Sequence, residues 1–468
     1  MPFSRKHDYN TVRHLSAALL LSACALVSAC TQGVAPAQAL SPVETTFSVS
    51  GSAERRAEWW KAFDDPQLNR LIDEALSDSP SLEAIWERLQ ANEALARRER
   101  SALFPQLDGI LGASSEREDN EGTELFSVGL YASYEVDLWG RIRSEAEAER
   151  LRAEATKADY ETAALTLSGQ VALTWYRLLA RTEILALIED QIAANEKVAE
   201  SLIARFRGGE ARSVDVLRQE QLIEATRELK LIAEADIAVL ENQLQVLLGN
   251  TPQKNFASDS HAELPALPPL PNTGLPGELL LRRPDLKSAY LELLAADQDL
   301  ASAISERFPR IDLTASVRSA SEDSSKLFDD WIRSIAGELV APIIDGGNRR
   351  AEVDRQTAIK RQRVAEFKQA SIVAYREVED ALVQEKQETL RHASLSKQVE
   401  LQQTAFKQLQ KEFLNGVGNF IDVLTAQTGA QELQRNLIES KRRQIEFRIA
   451  LHRSIAGPIQ AYEKRKQP

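Results

Sequence analysis

Two patterns of hydrophobic and polar positions alternate along this chain. The first has a period of two residues and runs from Phe126 to Leu138 in the first half of the sequence. In the second half it runs from Ile311 to Val317 and again from Ile335 to Ile343. Such alternation predicts β-strands with one apolar and one polar face. We therefore expect two pairs of strands, within about 106–138 and about 310–344.

The second pattern predicts unusually long helices. Residues 142–207 and 349–414 contain no proline, and at 1.5 Å per residue each segment would be roughly 100 Å long. Between Leu395 and Phe413 the core-type positions follow one another in steps of four and three residues, which is close to the 3.5-residue period of a coiled-coil seam. A glycine-containing turn follows each long helix, and the chain returns as helices over about 213–248 and 420–455.

The order of these elements occurs twice, which indicates an internal duplication. Phe104-Pro105 recurs as Phe308-Pro309, and Asp215-Val216-Leu217 recurs as Asp422-Val423-Leu424. We therefore expect a first repeat over 56–262, a proline-rich linker over 263–277, a second repeat over 278–457 and a tail over 458–468. The linker is expected to be extended, because proline excludes both helix interiors and central strands.

The N-terminus has the layout of a secretory signal, with a basic lead and an apolar stretch too short to span a bilayer. Cys24 and Cys30 each end a small-residue box that resembles the processing site of bacterial lipoproteins. Cys30 is preferred, because cleavage there leaves a polar mature start. We expect a signal peptide over 1–29 and a lipidated leader over 30–55, loose to about Ser52. The alternative is an ordinary signal peptide with two incidental cysteines.

Composition narrows the possible functions. The 468 residues would suggest about three domains by length, but 20 glycines and 17 prolines are few for compact, turn-rich units. The net charge of −13 argues against a general nucleic-acid binder. The five histidines are scattered without metal-ligand spacing, and the sequence has no nucleotide-binding loop or nucleophile elbow. The sequence therefore predicts no enzyme, no metal site and no cofactor.

Beyond the signal, the sequence has no uninterrupted apolar run of about 20 residues, so a membrane-embedded part would have to be made of strands. Four amphipathic strands leave open edges, which lipid does not tolerate, so several chains would have to share one closed barrel. Two chains would supply eight strands and three would supply twelve, and the sequence does not choose between them. Two soluble hairpins that cap a helical rod are the alternative.

Four motifs resemble those of the outer membrane factor family, the TolC-like efflux channels, and of its lipoprotein (NodT-like) branch in RND-type efflux systems. The resemblance covers nearly all of the mature chain, and the motifs are Trp59-Trp60-Lys61-Ala62-Phe63-Asp64-Asp65-Pro66-Gln67-Leu68, Leu281-Arg282-Arg283-Pro284-Asp285-Leu286, Ala132-Ser133-Tyr134-Glu135-Val136-Asp137-Leu138-Trp139-Gly140-Arg141 and Pro342-Ile343-Ile344-Asp345-Gly346-Gly347-Asn348-Arg349.

The resemblance implies a mainly α fold with a small β part. Long α-helical hairpins would form a periplasmic α-barrel, and three chains with four strands each would share a transmembrane β-barrel. It also implies a homotrimer in the bacterial outer membrane, lipid-anchored, that docks to a periplasmic adaptor and an inner-membrane RND-type pump. Such a channel passes small molecules, such as drugs or other toxic compounds, and performs no covalent chemistry. A lipid-anchored periplasmic coiled-coil adaptor or scaffold protein is the alternative.

In this architecture the two glycine-containing turns form the periplasmic tip. Asp215 and Asp422 lie in the first turn of each returning helix, so three chains would place six carboxylates near the mouth. Asp422 matches a constriction aspartate of the family, whereas Thr425 stands where the pattern often has a second aspartate. Both aspartates could instead serve the helix N-terminus, as Asn419 and Asp422 resemble a capping arrangement.

Two further groups at the tip are candidates. Phe206 and Phe413 precede the turns and are gate candidates, although aromatic residues at coiled-coil spacing are more often core. The turn residues could contact an adaptor, or the glycines could merely permit the turn. These adaptor-contact candidates are Gly208, Gly209, Gly416, Val417 and Gly418. The exported substrate, the cognate pump and adaptor, and the resting state of the tip are not determined by the sequence.

Overall fold

The computed structural model describes residues 46–118, 121–252 and 263–459. In the first repeat, a short 3₁₀ helix (Trp59–Phe63) precedes helices α1 (Pro66–Asp78) and α2 (Pro80–Ser101), strands β1 (Gln106–Glu118) and β2 (Glu121–Val136), and helices α3 (Arg141–Arg207) and α4 (Ser213–Leu247). In the second, α5 (Pro276–Arg282) and α6 (Pro284–Ser305) precede β3 (Arg310–Ser321), β4 (Ile332–Val340), α7 (Asn348–Leu414) and α8 (Phe420–Ile455). The duplication is thus confirmed.

Helices α3 and α7 contain 67 residues each, so each is roughly 100 Å long. Each begins after a glycine with positive φ, Gly140 at 81° and Gly347 at 89°. An aspartate just upstream accepts hydrogen bonds from the first backbone amides: Asp137 from Ile142 and Arg143, and Asp345 from Arg349. These carboxylates satisfy amides that have no partner within the helix.

The four strands form one antiparallel sheet in the order β1-β2-β3-β4. Leu130 of β2 lies opposite Gly109 of β1 and Val317 of β3, so the two repeats meet at the centre of the sheet. Strand β4 ends at Val340, earlier than the predicted 343–344, because Pro342 has no amide to donate to a ladder. Within the described residues, no helix has both the length and the apolar character to cross a membrane.

The main core surrounds the middle of α3. Trp175 and Tyr176 of α3 are fully buried and pack with Trp59 and Trp60 of the 3₁₀ helix and Ile449 of α8. Helix α3 also packs on α2, α4 and α6, and α7 packs on α6 and α8. Both repeats therefore contribute to the same core.

The described part of the leader is not loose, contrary to expectation. Phe47 is buried against α7 and stacks on Tyr375 with ring centroids 5.5 Å apart. Ala53 forms a parallel bridge with Pro271, and its amide donates to the Leu270 carbonyl at 3.2 Å. The proline-rich linker supplies this edge, because residues 263–275 form no helix and leave the backbone at Leu270 and Pro271 free to pair. The leader thus pairs with the linker.

Candidate functional site

The candidate site is the end of the molecule at which α3 turns into α4 and α7 turns into α8. In both turns the same backbone motif ends the long helix. The Gly209 amide donates to the Phe206 carbonyl at 3.0 Å and the Glu210 amide to the Arg205 carbonyl at 2.8 Å. In the second turn the Gly416 amide donates to the Phe413 carbonyl and the Val417 amide to the Glu412 carbonyl, each at 3.0 Å. These are matched Schellman motifs, which require a left-handed residue.

The turns require glycine at different positions for different physical reasons. Gly209 and Gly416 both have φ of +79°, yet a Cβ atom on either would meet nothing within 4 Å. They are needed for backbone conformation alone. At Gly418 a Cβ atom would lie 3.1 Å from the Phe413 amide nitrogen, so close packing selects glycine there. Val417 is 84% exposed and projects from the turn.

The two hairpins pack against each other at this end. Leu202 of α3 is buried with Phe420 and Val423 of α8, and Phe413 joins this cluster with its ring centroid 5.4 Å from that of Phe420. Phe413 is therefore part of the core of the tip. Phe206, the equivalent residue in the first repeat, is 47% exposed. The structure thus separates two residues that the sequence treated alike.

Arg205 connects the two turns and was not singled out from the sequence. Its Nη1 donates to the Leu414 carbonyl at 3.3 Å, and its Nη2 lies 3.3 Å from Glu210 Oε2. Its Cζ atom lies 5.4 Å from the centre of the Phe413 ring. The only sequence signal was a basic residue in the last turn of a helix, where it complements the helix dipole.

The two matched aspartates have different surroundings. Asp215 is buried and accepts two hydrogen bonds from Arg212, at 2.9 and 3.0 Å. These hydrogen bonds raise the pKa of the Arg212 guanidinium. Asp422 is exposed, and its carboxylate has no hydrogen bond or ion pair among the described residues. Asn419 caps α8, since its side chain accepts from the Ile421 amide at 3.4 Å. Asp422 is therefore the free carboxylate of the pair.

Thr425, one turn after Asp422, is also exposed. Its hydroxyl donates to the Ile421 carbonyl at 2.8 Å, within the same helix. A hydroxyl bonded in this way adds no charge. Of these two exposed residues in the first turns of α8, only Asp422 therefore carries a charge.

A layer of buried amide side chains lies behind the tip and was also missed. Asn195 of α3 is fully buried, and its Oδ1 accepts from the side chains of Gln427 and Gln431 of α8, both at 2.7 Å. The Asn195 Nδ2 donates to the hydroxyl of Thr226 of α4 at 3.1 Å, and the side chain of Gln219 of α4 donates to the backbone carbonyl of Asn195 at 2.9 Å. Such a layer fixes the register of the three helices, because a shift would leave buried amides without partners.

Two further points concern residues other than those of the tip. Cys24 and Cys30, the predicted lipidation candidates, fall outside the described residues. Within residues 46–118, 121–252 and 263–459, no group of three or more His, Cys, Asp or Glu side chains is arranged to hold a metal ion.

Comparison with known proteins places this architecture in a family. The family model described as "Outer membrane efflux protein" matches residues 71–250 and 275–457. The toluene efflux pump outer membrane protein TtgI of Pseudomonas putida is 30% identical over 422 residues, with 88% of each chain covered. The cation efflux system protein CusC of Escherichia coli is 27% identical over 418 residues, with 86% of this chain and 88% of CusC covered.

The fold agrees with a solved channel structure. The outer-membrane channel OprN superimposes with a TM-score of 0.83 at 24% identity, over 90% of this chain and 100% of that chain. Both the predicted mainly α fold with a small antiparallel sheet and its internal repeat are confirmed. The matched residues span both repeats, including both long hairpins and all four strands. This chain belongs to the outer membrane efflux protein family.

Proposed function

We propose that this chain is the outer-membrane channel of a three-component efflux system, in which three copies form one conduit. The observation that carries the proposal is the open four-stranded sheet. Every residue of its edge strand β4 is exposed, and Ile335 is 89% exposed. The other edge strand, β1, exposes Leu107 and Leu111 at 67% and 81%. Apolar edges of this kind are hazardous unless other strands pair with them.

Closure by three copies satisfies the strand directions. Successive strands run antiparallel from β1 to β4, so β1 and β4 point in opposite directions. A β4 of one copy can therefore pair with β1 of the next without breaking the antiparallel order. Three copies of four strands give twelve, an even number within the range of outer-membrane barrels. Closure removes every edge, as a lipid environment requires.

The helices support the same assembly. Leu231 and Val239 of α4 are 66% and 64% exposed, and Ile372 and Leu390 of α7 are 64% and 59% exposed. Large apolar side chains at this exposure favour contact with further helices. In a ring of three chains, α4 of one copy would lie beside α7 of another. The long hairpins would then enclose the periplasmic part of the conduit.

At the tip, three copies would bring three Asp422 carboxylates around the mouth. The proposed ring has three charges rather than six, because Arg212 neutralises Asp215 within the chain. Such a ring favours cations over anions. Phe413 holds the hairpins together behind it, and the exposed Val417 and the turn glycines offer the adaptor a surface.

The transported molecules are small solutes delivered by an inner-membrane pump through a periplasmic adaptor. The proposed role is passage without covalent chemistry. Relatives named for toluene and for cation efflux share this architecture, which supports a conduit whose cargo is chosen by the pump. The chain would be exported by its signal over 1–29 and lipidated at Cys30, with Cys24 as the alternative. Intact-mass analysis of the mature protein tests the acyl group.

The test of the channel uses the purified full-length protein. Native mass spectrometry is expected to give a complex of three chains, and insertion into planar bilayers is expected to give discrete conductance steps. Migration on gels should change on heating, as for other closed outer-membrane barrels. A monomeric mass together with an absence of conductance would contradict the proposal and favour the scaffold alternative.

A further inference from the structure

A cavity of about 690 Å³ lies where the helices of the first repeat meet the strands. Its walls come from the end of α2, the start of α3 and Gln298 of α6. Leu103, which lines it, precedes β1, and Gly140, which also lines it, follows β2. The cavity therefore opens at the helix side of the sheet.

Four arginines line this cavity: Arg97, Arg100, Arg143 and Arg150. Arg143 is paired with Asp137 at 3.0 Å. Arg150 is paired with Glu147, the one acidic residue of the lining, at 2.6 Å, and with Glu154 at 2.5 Å.

Arg97 and Arg100 are exposed and have no hydrogen bond or ion pair among the described residues. They lie one helical turn apart on α2, so both guanidinium groups can turn to one anion. Guanidinium groups bind phosphate oxygens in pairs of parallel hydrogen bonds. The two free arginines are therefore available for an anionic ligand.

The internal duplication shows that the fold does not require these arginines. Helices α2 and α6 have the same length, and Arg97 and Arg100 correspond to Ala301 and Ile304 of α6. Helices α3 and α7 also have the same length, and Arg150 corresponds to Thr357. The fourth lining arginine, Arg143, has a basic counterpart in Arg350. The charges of Arg97, Arg100 and Arg150 are thus specific to the first repeat.

The border of the cavity is apolar towards the sheet. Ala96, Leu103 and Ala146 contribute to its lining. Just beyond it, Phe104 is 60% exposed, and Leu107 and Leu111 of β1, which lie on the same face of the sheet, are 67% and 81% exposed. A free phosphate ion would gain nothing from these side chains. A molecule with a phosphate and hydrocarbon chains would contact both parts.

We propose that this cavity binds the phosphate headgroup of an anionic glycerophospholipid, with its acyl chains along Phe104 and β1. The inference rests on the proposed function, because it needs the strands to lie in the membrane and the helices outside it. The ligand would then belong to the leaflet that faces the helices. Basic pockets at the membrane boundary bind acidic lipid headgroups in this way.

The test is lipid binding to the purified full-length protein in a neutral detergent, followed by native mass spectrometry. Phosphatidylglycerol is the probe, phosphatidylcholine is the zwitterionic comparison, and inorganic phosphate is the competitor. We expect phosphatidylglycerol to bind more tightly than phosphatidylcholine. The double variant Arg97→Gln with Arg100→Gln should bind phosphatidylglycerol at least about tenfold more weakly, since two charge-assisted contacts are lost.

Arg98→Gln is the matched control. Arg98 lies between the two residues, is 73% exposed, pairs with Glu99 at 2.6 Å and does not line the cavity. Its removal should leave binding unchanged. All three arginines are exposed, so neither variant should affect folding, which circular dichroism checks.

Four results would each overturn the site: no phosphatidylglycerol bound, equal binding of phosphatidylcholine, displacement of the lipid by inorganic phosphate, or a double variant that binds like the native chain. None of these measurements needs a pore. The native chain could form no pore and still bind the lipid, while the double variant does not bind it. That result would contradict the channel and leave the lipid site intact.

Discussion

At the residue scale, the two halves of the duplication have diverged in chemistry at matched positions. Asp215 and Asp422 occupy the same place in their helices, but Arg212 precedes Asp215 and Asn419 precedes Asp422. An arginine pairs with the carboxylate, whereas an asparagine caps the helix and leaves the carboxylate free. The sequence suggested both aspartates as gate residues, and the side-chain geometry supports Asp422.

We predict that Asp422→Asn lowers the preference of the channel for cations over anions. The reason is the loss of one charge per chain from the proposed ring at the mouth. Reversal potentials in asymmetric salt across a planar bilayer measure this preference. Glu432→Gln, about 15 Å further along α8, is the control and should leave selectivity unchanged. Equal selectivity of Asp422→Asn and the native channel would remove Asp422 from the conduction path.

A second residue-scale prediction concerns His452, which is buried in the main core and stacks on Trp59 at 6.0 Å. Burial, and then the nearby Arg448, lower the pKa of His452 from 6.5 to about 4. Between these two pH values the unfolded chain binds a proton that the folded chain does not. Stability is therefore complete above pH 6.5 and falls towards pH 4, by roughly 3 kcal/mol per chain.

His452→Phe keeps the stacked ring and removes the proton. Thermal unfolding followed by circular dichroism at pH 7 and pH 5 should therefore show a smaller loss of Tm in His452→Phe than in the native chain. His392 is present in both proteins and cancels in the comparison. The same loss in both proteins would show that His452 does not contribute.

At the element scale, a buried ion pair joins the two helices of the second hairpin to the proline-rich linker. Arg448 of α8 donates to Glu385 of α7 at 2.8 and 2.5 Å and to the carbonyl of Pro268. The two side chains are only 4% and 10% exposed. Residues 263–275 of the linker form no helix, and this arginine is one of the side chains that attach them to α8.

Arg448→Met should destabilise the chain by about 3–5 kcal/mol, because it leaves the Glu385 carboxylate buried without a partner. Chemical denaturation followed by circular dichroism measures the change. The surface pair of Arg355 and Glu352 on α7 provides the control, since Arg355 is 59% exposed. Arg355→Met should cost at most about 1 kcal/mol. Equal losses of unfolding free energy in the two variants would show that the buried pair contributes no more to stability than the surface pair.

At the scale of the whole molecule, the chain carries surfaces that it does not cover itself. Strand β4 is exposed along its whole length, and the long helices expose rows of large apolar residues. On α4 and α7 these residues include Leu217, Leu231, Ile232, Val239, Val246, Ile372, Val383, Leu390 and Leu401. These features are consistent with a protomer of a larger ring rather than a finished particle.

Leu390→Asp is predicted to reduce the fraction of three-chain complexes in native mass spectra, because it places a charge in an apolar contact. A closed ring repeats each contact in every copy, so the cost is incurred three times. Ser396→Asp, an exposed polar site on the same helix, is the control and should leave assembly unchanged. An undiminished trimer in Leu390→Asp would exclude this row from the interface.

The sequence alone determined the elements and their duplication. Local rules were enough for this, because proline, glycine and the periods of two and 3.5 residues act on neighbouring positions. They placed α8 at Phe420–Ile455, where the structure has it, and α3 and α7 within one residue. They also located both turns, since the left-handed residues Gly209 and Gly416 are visible as glycines.

Only the tertiary structure decided which side chains meet. The core role of Phe413, the exposure of Phe206, the link through Arg205 and the amide layer around Asn195 all join helices far apart in sequence. The leader up to Ser52 was likewise expected to be loose, because the partners of Phe47 and Gly51 lie on α7 and on the linker. Periodicity states which face of a helix is apolar, but the free energy of a contact depends on the residue that packs opposite, and the fold alone supplies that partner.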